Sequence, residues 1–173
     1  MTNIHASCIV LGPAGQPFGA PEETGVLFLG ASGSGKSDLV LRMIERGADL
    51  VADDRVDLYT RDGRLWGRPP ASLAGLIEIR GLGLVTLPYR SEIAITLVIA
   101  LVAPEEVPRL PERGTYSPPE ALGLPQKAWP PLVTLTASES SAPAKVAATA
   151  AAFAHALFRE DRNPTRTLPN RPR

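Results

Sequence analysis

The sequence predicts an α/β domain built around a phosphate-binding loop, and three observations carry that expectation. Leu27 to Asp38, L-F-L-G-A-S-G-S-G-K-S-D, spaces Gly30, Gly35, Lys36 and Ser37 as in a P-loop lying between an apolar strand and a helix. Short β-branched runs follow on either side, with an amphipathic helical stretch between them. The chain has 173 residues, with Lys plus Arg equal to Asp plus Glu at 18 each. That length suffices for one buried core, and the charge balance does not argue for nucleic acid or membrane lipid as partner.

Ile4 to Leu11 is β-branched and alternating and predicts the first strand, stopped by Gly12-Pro13. His5 stands near its start, where a lone histidine usually serves a structural hydrogen bond. Gly12 to Gly25, rich in Gly, Pro and Glu, predicts a loop or irregular hairpin, and Gly25 to Leu29 the strand that feeds the P-loop. Ser37 to Arg46 places Leu39, Val40, Met43 and Ile44 on one helical face, with Asp38 in the first turn and Gly47 as the stop. Ala48 to Ala52 returns as a strand and runs into Asp53-Asp54-Arg55. Val56 to Thr60 and Leu65 to Gly67 flank Arg61-Asp62-Gly63-Arg64, whose Asp-Gly pair signals a hairpin.

Within Ala71 to Thr86, Glu78 and Arg80 alternate with Ile77 and Ile79 and share one face if the segment is extended; Gly81 and Gly83 end the pattern. Ile93 to Val102 is apolar enough to be a central strand. Pro104 to Pro131 holds eight prolines and predicts an irregular excursion, either a flap over the site or a contact between subunits of a homo-oligomer. Leu132 to Thr136 reads as the last strand, and Ala142 to Arg159 as a helix with the stripe Val146, Ala150, Phe153, Leu157 and Phe158. His155 falls on the opposite, solvent side of that helix. Residues 1–160 thus form one domain, and residues 161–173 a disordered tail. Cys8 is the single cysteine, inside an apolar run; with no signal-peptide start and no membrane-length apolar stretch, the cytoplasm is the expected compartment.

The chemistry converges on the loop. Gly30, Gly33 and Gly35 admit backbone angles closed to other residues, so N–H groups from Gly30 through Ala31, Ser32, Gly33, Ser34, Gly35 and Lys36 to Ser37 can cradle phosphates. Lys36 brings a positive charge for the β/γ-phosphates, Ser37 a hydroxyl for Mg²⁺, and the helix its positive end. Strand side chains alternate, so Asp53 and Asp54 aim into one site only if the strand bends there. A carboxylate at this place can hold Mg²⁺ through water or accept a hydroxyl proton. Glu78 and Arg80 either pair on a strand surface or serve as a second metal carboxylate and a stabiliser of phosphoryl charge. A switch GTPase is disfavoured by the lack of an N-K-x-D run, and a small-molecule kinase by a Pro-rich segment carrying only Arg109 and Arg113. No zinc-type spacing, catalytic Ser/His/Asp order, RNA-binding aromatic pattern or internal repeat is present.

Taken together, I-H near the start, G-A-S-G-S-G-K-S-D, L-V-A-D-D-R-V and G-L-I-E-I-R-G-L-G-L-V resemble the catalytic domain of HPr kinase/phosphorylase, which phosphorylates a serine of the phosphocarrier protein HPr. The resemblance runs from His5 to Thr86 with order and spacing kept, more loosely to Phe158, and matches a short form without the N-terminal domain of the full-length family. It implies the P-loop architecture shared with phosphoenolpyruvate carboxykinase: a mixed sheet with flanking helices. ATP and Mg²⁺ would sit on Gly30 to Ser37, with Ser37 and Glu78 as metal ligands and Lys36 on the transferring phosphate. Asp54 would be the general base toward the serine hydroxyl, supported by Asp53. His5 would reach the same phosphate region, and Arg80 lies in a segment used in both directions of the reaction. HPr would be the partner, with no nucleic acid and no membrane.

Two departures stand out. Glu120-Ala121-Leu122-Gly123-Leu124 lacks an Arg that the family carries before L-G-L, and Ala137 to Ser141 replaces a P-G-R run. Both arginines belong to the family's phosphate handling, so the kinase direction is expected to persist and phosphorolysis to be weak. The alternative is a degenerate ATP-binding regulatory module.

Overall fold

A computed structural model describes residues 1–109 and 113–158. The strands are β1 (Thr2–His5), β2 (Ser7–Val10), β3 (Gly25–Leu29), β4 (Asp49–Ala52), β5 (Arg55–Arg61), β6 (Arg64–Arg68), β7 (Leu76–Ile79), β8 (Gly83–Thr86), β9 (Ile93–Leu101), β10 (Gly114–Thr115) and β11 (Pro131–Leu135). The helices are α1 (Lys36–Glu45) and α2 (Ala142–Ala154). The main sheet runs β1-β5-β6-β9-β3-β2-β4, with β11 beside the second half of β9 and β10 outside it. β9 is parallel to β3 and β11 and antiparallel to β6. The sheet is therefore mixed, with helices flanking it, as the resemblance implied. β9, apolar over nearly its whole length, is the shared strand at its centre.

The single strand expected over Ile4 to Leu11 is instead two. β1 pairs with β5, whereas β2 pairs with β3 and β4, and at the break Ala6 N–H donates to Asp54 C=O at 3.2 Å. The cause lies across the sheet: β4 and β5 part company at Asp53-Asp54, so the strand facing both must change partner at the same level. Gly12 to Gly25 contains a 3-10 helix, Gly12–Phe18, within the antiparallel β2–β3 connection. The predicted hairpin turn forms between β5 and β6, with Asp62 at φ 52°.

Burial follows the period-2 alternation of the strands. Ile9, Val26, Phe28 and Ile99 face α1 and α2, packing on Leu39, Val40, Met43 and Val146. Cys8, Val10, Leu27 and Val98 face the other way, onto Val51, Val56, Leu58 and Leu65. α2 ends at Ala154, before the predicted Arg159. His155 caps it from an exposed position, donating from Nε2 to Gly19 C=O at 2.8 Å, and Ala156 takes φ 50°. Leu157 and Phe158 thus leave the expected helical stripe; the Phe158 ring meets Phe153 edge-on at 4.7 Å instead.

The described parts of Pro104 to Pro131, residues 104–109 and 113–131, are irregular as expected, apart from isolated 3-10 turns, β10 and the first residue of β11. They pack on the chain's own sheet, where Leu122 is buried and its C=O accepts from Thr60 Oγ. The predicted tail, 161–173, lies outside the described residues. No described helix is long and apolar enough to cross a membrane.

Candidate active site

β3 delivers the chain into the loop and α1 carries it away, with tight packing at both ends of the turn. Gly30 has φ 154°, and a Cβ there would lie 2.5 Å from Ser34 Oγ and 2.8 Å from Leu101 C=O. Gly35, at φ 88°, opens α1; a Cβ there would meet Ala137 Cβ at 2.8 Å. These two positions exclude other residues both by backbone angle and by space. Ala31, Ser32 and Gly33 form the exposed tip between them.

Lys36 is 5% exposed, and its Nζ donates to Gly30 C=O at 2.8 Å and Ala31 C=O at 2.9 Å, folding the side chain back into its own loop. Burial lowers its pKa below the ordinary lysine value, while the nearby charges of Asp53 and Asp54 pull it back up. Ser37 Oγ donates to Asp53 Oδ1 at 3.0 Å. Asp53 is buried, and the same oxygen accepts from Ser7 Oγ at 2.6 Å. A metal-type hydroxyl and a carboxylate are thereby joined at the base of the loop.

The strand does bend between the two acids. Arg55 N–H donates to Asp53 C=O at 2.7 Å across a tight turn, and Asp54 sits at φ 63°. For a non-glycine residue such backbone costs about 1–3 kcal/mol, and strain of this kind concentrates at working sites. The bend sends Asp53 inward and leaves the Asp54 side chain 64% exposed. His5 Nδ1 donates to Asp54 C=O at 2.9 Å and lies 3.2 Å from Asp54 Oδ1. His5 Nε2 is buried without a hydrogen-bond partner among the described residues.

Glu78 and Arg80 stand apart from this cluster. β7 and β8 form a separate two-stranded sheet packed on α1, with Ile77 buried beneath and Glu78 exposed. Arg80 falls in the turn after β7 rather than continuing the extended alternation expected from Ile77 to Arg80. Among the described residues neither side chain makes a hydrogen bond or ion pair, and no group of three or more His, Cys, Asp or Glu side chains is arranged to hold a metal.

Two positions escaped the sequence. Ser7 was hidden in an apolar run, where its polarity was the only signal. Arg42, one charged residue among several on the predicted helix, donates to Ala137 C=O at 2.5 Å and Glu139 C=O at 3.2 Å. It ties the segment that replaces P-G-R to α1, and Glu139 in turn pairs with Lys145. A cleft of about 570 Å³ lined by Thr24, Thr96, Trp129 and Phe153 lies toward the other end of β3 and contains none of these groups.

The residues fit a magnesium nucleotide. Ser34 Oγ is buried in the loop without a hydrogen-bond partner among the described residues. Among the described residues the Lys36 ammonium is satisfied only by carbonyls of the loop itself, which phosphate oxygens could replace. Ser37 and Asp53 are a hard oxygen pair suited to Mg²⁺.

Residues 22–113 match the family model described as HPr Serine kinase C-terminal domain. An HPr kinase/phosphorylase of Streptococcus thermophilus is 55% identical over 62 residues, covering 35% of this chain and 20% of that protein. One from a Polaromonas species is 40% identical over 111 residues, 58% of this chain and 35% of that protein. The chain thus matches only about a third or less of the length of these curated relatives. The solved Hpr(Ser) kinase/phosphatase of Coxiella burnetii superposes with a TM-score of 0.69 at 25% identity, covering 91% of this chain and 97% of that one.

Proposed function

Because this chain belongs to the HPr serine kinase C-terminal domain family, we propose that it is an ATP- and Mg²⁺-dependent kinase that phosphorylates a serine of HPr. The observation that best supports this is the division of labour between the two acids. Asp53 is buried against Ser37, as a residue that orients the metal-binding hydroxyl should be, while Asp54 projects from a strained turn with an exposed carboxylate. A base that must reach the hydroxyl of a protein substrate needs that exposure.

In this scheme Gly30 to Ser37 bind the phosphates. Mg²⁺, when bound, spreads the negative charge of the transferring group. Lys36, held by the carbonyls of Gly30 and Ala31, would turn to the phosphate oxygens, and Ser37, its hydrogen directed at Asp53, would be the hydroxyl that holds the metal. Asp54 accepts the proton of the acceptor hydroxyl, and His5, hydrogen-bonded to its carbonyl, holds the turn. Glu78 and Arg80, exposed on the neighbouring hairpin, are free to approach the metal or phosphate once substrates are bound.

The regulatory-module alternative lacks a comparable observation in its favour. Radiolabelled ATP with purified HPr decides between them. Label should reach HPr serine, and Asp54→Asn should retain ATP binding while cutting transfer by about 10²–10⁴-fold, the usual worth of a general base. ATP binding with no transfer by the unaltered chain would instead establish the module, and unchanged transfer by Asp54→Asn would remove Asp54 from its role.

A further inference from the structure

We propose that Arg42 is a positioning residue for the phosphate-binding loop: its guanidinium fixes the turn between β11 and α2 so that Ala137 braces Gly35, where α1 opens. This rests on the nucleotide-binding part of the reading above, and it names a residue outside the loop on which that binding depends.

The loop needs such support. Gly35 stands at φ 88°, and among the described residues no side chain caps α1. The first N–H groups of α1 are therefore left for a ligand, and the Gly35 backbone sets where they point. A glycine has the widest backbone freedom of any residue and no side chain to anchor it. What confines Gly35 is Ala137, which is only 4% exposed. A Cβ on Gly35 would lie 2.8 Å from the Ala137 Cβ, so the Ala137 methyl is seated against the backbone there. Chain neighbours aside, no other described heavy atom comes within 4 Å of that point.

Ala137 in turn is held by Arg42. β11 ends at Leu135 and α2 starts at Ala142, so Ala137 lies in the turn between them, outside any strand ladder. Arg42 Nη2 donates to Ala137 C=O at 2.5 Å and Nη1 to Glu139 C=O at 3.2 Å, two nitrogens of one rigid plane on two carbonyls of the turn. The plane is fixed from α1 as well, because Nε donates to the Asp38 carboxylate, one helical turn back, at 2.9 Å. Asp38 follows Ser37 directly in the chain. The contacts therefore form a circuit that leaves the loop at Asp38, passes through Arg42 and Ala137, and returns to it at Gly35. A guanidinium that only satisfied two carbonyls would stabilise the turn and leave nucleotide affinity alone; the circuit couples the two.

The test is Mg-ATP binding to the full chain by calorimetry, well below the melting temperature of every variant, alongside steady-state transfer to HPr. Arg42→Gln and Ala137→Gly should each weaken Mg-ATP binding about 3–30-fold, the span of a coupling carried through packed contacts. The loss should fall on KM for ATP more than on kcat. The double variant should lose no more than the worse single variant, because both substitutions remove the same brace. Arg42→Lys, which keeps the charge but has no planar fork, should recover only part of the affinity. Leu65→Val, in the core layer on the other side of the sheet, should lower the melting temperature and leave Mg-ATP affinity unchanged. Affinity within about 2-fold of the unaltered chain in both single variants would overturn the inference. So would losses that multiply in the double variant, full recovery by Arg42→Lys, an equal loss in Leu65→Val, or no Mg-ATP binding by the unaltered chain. The expected pattern of affinities without transfer to HPr would uphold the brace and refute the kinase reading; transfer to HPr with nucleotide affinity indifferent to both single variants would do the reverse.

Discussion

Replacing Ser7 with alanine tests whether the buried acid at the base of the loop is held as the geometry indicates. Ser7 is fully buried and its Oγ donates to Asp53 Oδ1 at 2.6 Å, the shorter of the two serine contacts on that oxygen. A hydrogen bond to a charged acceptor contributes about 1.5–3 kcal/mol, and the methyl left behind cannot replace it. Ser37 still donates to the same oxygen, so Asp53 is not wholly orphaned and the lower half of that range is expected. At about 2–4 °C per kcal/mol for a chain of this size, Ser7→Ala should melt about 3–9 °C lower. Urea denaturation of Ser7→Ala, Asp53→Asn and the double variant gives the coupling, expected above about 1 kcal/mol for contacting residues. A single-variant loss below about 0.5 kcal/mol, or additive losses around the cycle, would refute a charged hydrogen bond between them. Ser7→Thr, which retains the hydroxyl, should recover part of the loss.

Other outcomes can be checked directly. Burial holds the Lys36 pKa below that of free lysine, so the folded chain binds this proton less tightly than the unfolded one. Its contribution to stability therefore rises with pH between the folded and unfolded values, whereas nucleotide affinity should fall as pH rises through the folded value. Lys36→Arg should abolish that alkaline fall in affinity, and an unchanged pH profile would remove Lys36 from phosphate binding. Burial likewise pushes the Cys8 thiol well up, so a thiol reagent should label it only at the rate of global unfolding; rapid labelling of the native chain would contradict the core packing. With serine-phosphorylated HPr and inorganic phosphate, pyrophosphate release should be slow, because Ala137 to Ser141 brings no arginine to the loop and is tied down by Arg42. Fast release would overturn that expectation.

Local chemistry made much of this protein legible in its sequence. The P-loop spacing, the Asp-Gly hairpin, the stop of α1 at Gly47 and the central apolar β9 each depend on residues close together in the chain, where turn chemistry and periodicity act. The mixed sheet came from the family resemblance, since no local signal distinguishes a parallel neighbour from an antiparallel one. The tertiary structure decided what depends on distant partners. Ile4 to Leu11 divides because β4 and β5 separate on the far side of the sheet, a demand that its own alternation cannot encode. Asp53 and Asp54 look equivalent as adjacent acids, and only the bend held by Arg55 and Ala6 turns one onto Ser37 and leaves the other open to a partner. Ser7 gained its role the same way, from a carboxylate 46 positions away that folding brought within 2.6 Å.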